Sequence, residues 1–491
     1  MIRKAFTSLS LVFVFFMPAF AQQELSTNQR SLAFTHVTVI DATGAPAQPD
    51  MAVVVSGDRI TALGKFGAVT VPPNALVTNA SGKFMIPGLW EMHQHTFMRK
   101  NKELALYVLW GDIVNGVTGV RDAGDQGTPD DFGDLPYWED FEWRQAIAAG
   151  SVIGPRLVIA GGMLEGAPSP RKGWIEISTS AQGRAAVDSL KKLGVDNIKV
   201  HDGLTRDAYF AIADEAKKQG LVFWGHVTKP VSVAEASDAG QKSEEHLLGI
   251  LAACSTQEPK MMQAIIAEAG EHGLVTNAKT LIDTYSEEKC KALFSKFVKN
   301  DTYICPTLVR QRLAPVSMSD PRLAYASPAL RAEFQRGVDS FNQGDVPAVK
   351  TLHAAYYRLV KDMQQSGVKL LTGTDGRLFG FDLHDEMAEM VAAGLTPMQV
   401  LQAATKNAAE YFGKLDSLGT VEKGKIADLV LLDANPLDSI ENAAKIRSVI
   451  VNGRLLDRDA LDRMQAQIKT GSNANGTNPT PAPAIGFGDL K

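Results

Sequence analysis

The chain has 491 residues, of which 45% are apolar, and it carries a formal charge of -5 with a sequence pI of about 6.0. A chain of this length can bury a large core, and at roughly 100–200 residues per domain it has room for one to three domains. Lysine and arginine are not in excess, so the composition argues against nucleic acid as a partner.

The first 21 residues have the pattern of a secretory signal peptide. Arg3 and Lys4 precede an apolar run over residues 11–17, and a small-x-small cleavage site ends at Ala21. The apolar run is too short for a permanent membrane span. We therefore expect cleavage after Ala21, export to the periplasm or the medium, and no membrane span after processing. An uncleaved anchor is the alternative.

The three cysteines, Cys254, Cys290 and Cys305, are few for a chain of this size. At most one disulfide can form among them, so a disulfide framework is not expected to hold the fold.

Both ends of the processed chain carry short strand patterns separated by turns. Near the start, residues 33–40, 52–63 and 69–77 have this character. Near the end, residues 427–432 and 446–451 are apolar runs, and Asn452-Gly453 is a hairpin turn. We predict that residues 22–86 and 417–460 meet in one small β domain.

Between the ends, short apolar strands alternate with amphipathic helices, a pattern typical of βα units and a parallel sheet. Eight strands can be counted, and eight is the number in a (β/α)8 barrel. They are residues 84–92, 119–122, 156–160, 197–200, 221–225, 242–245, 303–306 and 369–374. The sequence therefore predicts the α/β class, with a barrel over residues 87–416.

Helices are readable between and after these strands. They cover residues 206–219, 348–366, 382–393 and 397–411, and the first two end before a glycine, as a C-cap requires. The proline-containing segment 305–347 is predicted to form a lid or an oligomer contact. The tail, residues 470–491, has too few apolar residues to pack and is predicted to be disordered.

The strongest local motif is His93-Gln94-His95 at the end of the first barrel strand. Alternate residues of a strand face the same side, so the two imidazoles can share one metal ion. The C-terminal ends of barrel strands are also where barrel enzymes carry their active sites.

Four further candidate ligands end other strands, namely Lys199, His226, His246 and Asp375. Each has an ordinary alternative: a solvated lysine, a core histidine, or an aspartate that caps the next helix. Their convergence on one rim with His93 would have little structural purpose without a metal.

These motifs, in this order, resemble the amidohydrolase superfamily, in its branch of imidazolonepropionase-like and prolidase-like enzymes. The motifs that carry the resemblance span nearly the whole processed chain: residues 87–90 (PGLW) with His93 and His95, residues 116–122 (GVTGVRD), Lys199, His226, His246, residues 373–375 (GTD) and residues 419–428 (GTVEKGKIAD). The resemblance implies a barrel flanked by a β-sandwich built from both terminal segments.

The resemblance also implies a cofactor of two divalent metal ions, expected to be zinc. His93, His95 and Asp375 would hold the more buried ion, and His226 and His246 the more exposed one. Lys199, carboxylated by carbon dioxide, would bridge the two ions. Desolvation between cations would favour the free amine that this modification needs.

A mechanism follows from these implied roles. A hydroxide bridging the two metals would attack a polarised carbonyl, and Asp375 would take its proton and pass it to the leaving nitrogen. Pure metal ligation by Asp375 is the alternative.

Other residues are weaker candidates. His201 lies on the same strand face as Lys199, where the family often has an aromatic residue, and it is a candidate substrate contact. Arg310 and Arg312 follow the seventh strand and are suited to a substrate carboxylate, or are solvated loop charges. Arg121-Asp122 is expected to be an internal ion pair.

The leading functional hypothesis is a metal-dependent hydrolase that cleaves a C–N bond in a dipeptide, an N-acyl amino acid or a cyclic amide. The alternatives are an ester, lactone or phosphotriester hydrolase with the same two-metal site, a non-catalytic binding protein, and a purely structural metal site. The expected partner is a small-molecule substrate, and a homo-oligomer is left open.

Overall fold

The computed structural model of the protein describes residues 30–97, 102–124, 139–170, 173–267, 271–311, 316–343 and 346–473. The expected signal peptide, Arg312 and residues 474–491 of the predicted tail lie outside these ranges. Among the helices of the described residues, none combines the length and the apolar character needed to cross a membrane.

Seventeen strands lie within the described residues: β1 (Leu32–Val39), β2 (Gln48–Ser56), β3 (Arg59–Lys65), β4 (Leu76–Asn79), β5 (Phe84–Pro87), β6 (Leu89–Gln94), β7 (Val117–Asp122), β8 (Arg156–Val158), β9 (Leu164–Gly166), β10 (Ile175–Ile177), β11 (Asn197–Val200), β12 (Val222–Gly225), β13 (Ser243–Glu245), β14 (Tyr303–Cys305), β15 (Leu429–Leu432), β16 (Ile446–Val451) and β17 (Arg454–Leu456).

Sixteen α-helices accompany them in the same ranges: α1 (Lys102–Val114), α2 (Glu139–Ala148), α3 (Ser180–Leu193), α4 (Arg206–Lys218), α5 (Val233–Asp238), α6 (Leu248–Ala253), α7 (Glu258–Ala267), α8 (Glu271–Thr276), α9 (Ala278–Asp283), α10 (Glu287–Asn300), α11 (Pro328–Gln343), α12 (Val346–Gln365), α13 (Phe381–Ala392), α14 (Pro397–Ala404), α15 (Lys406–Tyr411) and α16 (Arg458–Asn473).

One eight-stranded sheet combines strands from both ends of the chain. Its order is β17-β16-β15-β5-β1-β2-β3, and β4 pairs with β1. The two ends meet where β5 pairs antiparallel with β15, in the register Pro87 to Leu429. The expected third strand, residues 69–77, is reduced to β4, because Pro72 and Pro73 have no backbone N–H to donate to a neighbouring strand.

The predicted strand 84–92 is in fact two strands that belong to different sheets. β5 pairs with β15, whereas β6 pairs with β7. Gly88 separates them and donates its N–H to the Asp428 carbonyl. A Cβ on Gly88 would lie 2.0 Å from Oγ1 of Thr118, so the chain can change sheets here only with a glycine.

The parallel strands form two further sheets. One has the order β6-β7-β8, and the other has the order β10-β9-β11-β12-β13-β14. Every pairing within both sheets is parallel. The chain therefore has the predicted α/β class.

Backbone hydrogen bonds connect these two parallel sheets at both junctions. On one side, the N–H of Asp196 donates to the Ile159 carbonyl at 2.8 Å. On the other, residues 369–375 lie between β14 and β6: the N–H of Leu371 donates to Ile304, and the N–H of Met92 donates to Thr372, both at 2.9 Å. Residues 369–374 thus take the place predicted for the eighth strand, although they pair only through an isolated bridge.

The predicted helices agree with α4, α12 and α13 to within two residues at each end. The predicted helix 397–411 is divided into α14 and α15 at Thr405, whose hydroxyl donates to the Leu401 carbonyl. The start of the predicted tail is also corrected, because α16 continues to Asn473. Gly471 lies so close to the Tyr107 ring of α1 that a Cβ would be 2.1 Å from it.

The segment between β14 and α12 contains regular structure. It has two 3-10 turns, Leu308–Gln311 and Pro321–Tyr325, followed by α11. Its buried Leu323 and Ala326 pack in a small apolar cluster with Leu378, which follows the last strand segment. The insertion therefore packs against the loop after Asp375, and its proposed role as a lid stays a prediction.

Cys254 and Cys290 form a disulfide that links the C-terminus of α6 to α10. Cys305 is free and buried. This single disulfide agrees with the prediction that the three cysteines can form at most one.

Candidate metal centre

The six predicted ligands lie at the C-terminal ends of the parallel strands and contact one another. Nζ of Lys199 is 3.3 Å from Nε2 of His93, and Nε2 of His226 is 3.0 Å from Nε2 of His246. Asp375 has its Oδ1 3.6 Å from Nε2 of His95 and its Oδ2 3.8 Å from Nε2 of His246. The structure therefore brings all six side chains together.

The four imidazoles share one orientation, in which Nδ1 is held by a neighbour and Nε2 faces the cluster. Nδ1 of His93 is 2.7 Å from Oε2 of Glu245, and Nδ1 of His95 is 2.8 Å from the Gly124 carbonyl oxygen. A ring that donates its Nδ1–H in this way keeps the Nε2 lone pair available for a metal.

The other two imidazoles follow the same rule. Nδ1 of His226 is 2.5 Å from Oδ1 of Asp202, and Nδ1 of His246 is 2.7 Å from the hydroxyl of Thr307. None of these supporting groups is predicted from the sequence. No spacing in the sequence indicates them, because Glu245 directly precedes His246 and yet supports His93.

Burial sets the protonation of the cluster. Desolvation lowers the pKa of His93, His95 and His246 well below the usual range, and that of His226 to about 4; positive neighbours act in the same direction. Desolvation also lowers the pKa of the Lys199 amine to about 7, against the attraction of Glu245. The imidazoles are therefore neutral at pH 7, as ligands must be.

The backbone turns sharply where two of the ligands leave their strands. His246 has a φ of 72° and Asp375 a φ of 47°, both in the left-handed region. The N–H of Asp375 donates to the His93 carbonyl at 2.7 Å. Backbone strain of this kind is typical of functional sites, where the surrounding structure holds a side chain in place.

A fully buried ion pair lies beneath the cluster. Nη2 of Arg121 is 3.0 Å from Oε1 of Glu245, and both side chains are 0% exposed. Arg121 also donates to the Met92 carbonyl and to Ser243, and its guanidinium lies 3.4 Å from the ring centroid of Trp224. Glu245 is thus shared between Arg121 and the predicted ligand His93.

This pairing corrects the expectation of an Arg121–Asp122 ion pair. Successive strand residues face opposite sides, so Arg121 and Asp122 lie on opposite faces of β7, although both are fully buried. Asp122 instead accepts the backbone N–H groups of Thr96 and Gly124, each at 3.0 Å.

The two weaker candidates that the structure describes both lie at the cluster. The ring of His201 stacks 4.2 Å from that of His226 and directs Nδ1 to Oε2 of Glu165 at 2.5 Å. The guanidinium of Arg310 contacts Oδ2 of Asp375. Three other histidines, His36, His353 and His384, contact groups away from this cluster. The side chain of His272 is not among those that the structure describes.

The donor set fits a metal centre. His93, His246 and Asp375 have ligand atoms within 4.8 Å of one another, and so do His201, Asp202 and His226. Neutral imidazoles, a carboxylate and a deprotonatable lysine are ligands suited to zinc and similar divalent ions.

Residues 84–456 match the amidohydrolase family. The chain belongs to this family. The resemblance stated from the motifs, and with it the prediction of an enzyme, is thereby confirmed. Members of the family generally depend on metal ions, which agrees with the donor set.

Two curated relatives match shorter stretches of this amidohydrolase. It is 34% identical over 121 residues to a 5-methylthioadenosine/S-adenosylhomocysteine deaminase of Moorella thermoacetica, covering 20% of this chain and 28% of the relative. It is 36% identical over 97 residues to an imidazolonepropionase of Shouchella clausii, covering 17% of this chain and 20% of the relative. The matches thus span less than a third of either relative.

Among solved structures, the fold is similar to that of a Xaa-Pro dipeptidase with bound methionine in the active site. The TM-score is 0.62 with 21% identity, and the match covers 87% of this chain and 100% of that chain. At this identity the likeness shows a shared fold.

Proposed function

We propose that this amidohydrolase uses two divalent metal ions to cleave a C–N bond in a small, carboxylated substrate. The observation that carries the proposal is the shared orientation of the four imidazoles. Each holds its Nδ1 on a neighbour. The Nε2 atoms converge: that of His93 faces Lys199, those of His95 and His246 face Asp375, and that of His226 faces Nε2 of His246. A cluster of neutral donors whose free lone pairs converge has no comparable use in a packed core.

His93, His95 and Asp375 would hold one ion, and His226 and His246 the other, with a carboxylated Lys199 between them. The lysine is 0% exposed, and its pKa of about 7 leaves a substantial fraction as the free amine. Carboxylation would convert an amine that faces His93 into a carbamate, whose single negative charge is shared by two oxygens and suits neighbouring cations.

When bound, the metal pair supplies a nucleophile at neutral pH and polarises the substrate carbonyl. Asp375 would perform the proton transfers. Its carboxylate lies between His95 and His246 and is mostly shielded from solvent. From there it can take a proton from the nucleophile and deliver it to the leaving nitrogen, a general base that becomes a general acid.

Two observations support the substrate class. The two curated relatives are named as a deaminase and an imidazolonepropionase, and the structural neighbour as a dipeptidase. Each of these names denotes an enzyme that acts on a C–N bond. In addition, Arg310 directs its guanidinium to Asp375, where it can bind a carboxylate on the leaving group by a charge-assisted contact. His201, stacked on His226, would contact the other side of the substrate.

We also infer that the eight parallel segments form the closed (β/α)8 barrel. The backbone hydrogen bonds at Asp196 and at residues 369–375 support closure, because they join β8 to β11 and β14 to β6. The sheet from both chain ends would then be the companion β domain.

We also propose that the protein is exported. The disulfide between Cys254 and Cys290 supports it, because disulfides persist in oxidising compartments and are rare in the cytosol.

The experiment has two parts. Metal content is measured on the purified protein, and turnover is then compared across dipeptides, N-acyl amino acids, cyclic amides, lactones and phosphotriesters. We expect metal-dependent hydrolysis of a C–N substrate that is abolished in Asp375→Asn and retained in the control Asp416→Asn, at an exposed position. Full turnover by metal-free protein, or a preference for the phosphotriester, would overturn the proposal.

A further inference from the structure

Residues 305–311, which begin at the end of β14, surround the predicted ligand His246. The N–H of His246 donates to the Cys305 carbonyl at 3.1 Å. Its Nδ1 lies 2.7 Å from the hydroxyl of Thr307, and its carbonyl accepts a hydrogen bond from Nε2 of Gln311 at 2.5 Å. Both ends of this segment are therefore fixed to His246.

The middle of the segment is the 3-10 turn Leu308–Gln311, which carries Arg310. The guanidinium of Arg310 contacts Oδ2 of Asp375, yet the side chain is 47% exposed, so burial does not fix its position. Thr307, directly before the turn, has a φ of 49°, in the left-handed region that non-glycine residues seldom adopt. Such a backbone conformation persists where the surrounding structure holds it.

A buried carboxylate of α13 holds the middle of this turn. The N–H of Val309 donates to Oε2 of Glu386 at 2.7 Å. Glu386 is 0% exposed and Val309 is 6% exposed, so water does not compete for this hydrogen bond. Without the acceptor, the N–H of Val309 would be buried and unsatisfied, and the turn would have to move toward solvent to satisfy it.

The same helix also holds the loop that follows Asp375. Oδ2 of Asp382 accepts the backbone N–H groups of residues 377 and 378, both at 2.8 Å. Asp382 and Glu386 are four residues apart on α13, so they lie on one face of the helix. This face therefore anchors both of the segments that meet where Arg310 contacts Asp375.

We propose that Glu386 is a positioning residue, which keeps Arg310 beside Asp375 so that the guanidinium can bind a carboxylate on the substrate. The inference rests on the proposed function and deepens it, because recognition of the substrate carboxylate would depend on a residue of α13 that acts through the N–H of Val309. When this hydrogen bond is lost, the turn moves and the guanidinium leaves its place at the cluster.

The test uses a substrate that the metal-loaded enzyme cleaves, once with a carboxylate on its leaving group and once with a carboxamide in that place. The ratio of the two kcat/KM values measures recognition by Arg310. We expect Glu386→Met to lower this ratio about 10-fold, chiefly through KM, which is the effect of displacing one charge-assisted contact.

Three further variants of α13 test the role of the acceptor atom. Glu386→Gln keeps an oxygen acceptor of the same reach and should keep the ratio. Glu386→Asp keeps the charge but withdraws the acceptor by one methylene, so it should lower the ratio. Glu389→Met is the matched control and should keep the ratio, because it removes a carboxylate of the same helix whose contacts with Tyr357 and His353 lie on α12.

A double-variant cycle asks whether Glu386 acts through Arg310. Arg310→Met should by itself remove most of the preference for the carboxylate form. In that background Glu386→Met should change the ratio no further, since two residues that act through one contact are not additive. A ratio that falls equally in both backgrounds, or equally in Glu389→Met, would overturn the inference.

Hydrogen exchange in the peptide that covers residues 305–311 separates this inference from the proposed function, because it needs neither metal nor substrate. The amide of Val309 should exchange about 10-fold faster in Glu386→Met than in the wild type, and at close to the wild-type rate in Glu386→Gln and Glu389→Met. If no C–N substrate is cleaved but exchange follows this pattern, the hydrolase proposal fails and the hold of Glu386 on the turn stands. Equal exchange in the wild type and Glu386→Met would show that the inference is wrong.

Discussion

Replacing Arg121 with methionine removes the only guanidinium that, among the described residues, contacts Glu245. The two side chains are 0% exposed and 3.0 Å apart, and the guanidinium also covers the Trp224 ring at 3.4 Å. Removing one partner of a buried pair leaves the other charge uncompensated, which costs about 3–5 kcal/mol. We therefore expect Arg121→Met to lower the free energy of unfolding by that amount.

The double variant Arg121→Met/Glu245→Met should be more stable than Arg121→Met. It removes both charges, and replacing a buried ion pair with apolar side chains is often neutral. What remains is the loss of the acceptor for Nδ1 of His93, which costs about 1–3 kcal/mol. The double variant should also bind metal about 10- to 100-fold more weakly, since a supporting acceptor has gone.

The assay is urea unfolding of the chelated protein, combined with metal titration of each folded variant. Arg358→Met is the control, because its pair with Glu287 is exposed and should contribute less than about 1 kcal/mol. A double variant that is less stable than Arg121→Met, or one with wild-type metal affinity, would refute this account of the Arg121–Glu245 pair.

Three further predictions concern other parts of the molecule. Burial lowers the pKa of His384 to about 4 from its usual 6.5, so between these pH values only the unfolded chain takes up this proton and the free energy of unfolding falls. At pH 5 the loss is about 2 kcal/mol. Unfolding curves at pH 7 and pH 5 should show this loss in the wild type, and His384→Asn should lack it. Replacing Cys254 and Cys290 with serine opens a loop of 36 residues and should lower the free energy of unfolding by about 4 kcal/mol under oxidising conditions, as measured with denaturant. Under reducing conditions the wild type and the variant should have the same free energy of unfolding. Lys199→Met should reduce the bound metal from two ions to one or none by elemental analysis; retention of two ions would contradict the bridging role.

The six clustered residues could be predicted because each belongs to a short motif at a strand end, and parallel strands bring their C-terminal ends together. For His93 and His95, the two-residue period of a strand was enough to predict that both side chains face the same side. Glu245, Asp202 and Thr307 could not be assigned in the same way. Their role depends on which imidazole each one faces, and that is a three-dimensional relation without a spacing in the sequence.

The errors in the fold have local physical causes. Residues 84–92 are mostly apolar on both sides of Gly88, and apolarity alone cannot show that the chain passes from one sheet to another there. The end of α16 was not predicted because its last four residues, Thr470 to Asn473, are polar and poor in helix formers, whereas the helix is held by packing on α1.

The meeting of β5 and β15 has a consequence for biosynthesis. Residues 84–87 lie between strands contributed by opposite ends of the polypeptide, and the next residues begin the strand that carries His93. This edge of β5 therefore stays unpaired until residues 429–432 are present to fold against it. A chain that ends before these residues would leave the segment leading to the histidine pair without one of its two flanking strands, so the cluster of predicted ligands is completed only when nearly the whole chain is available.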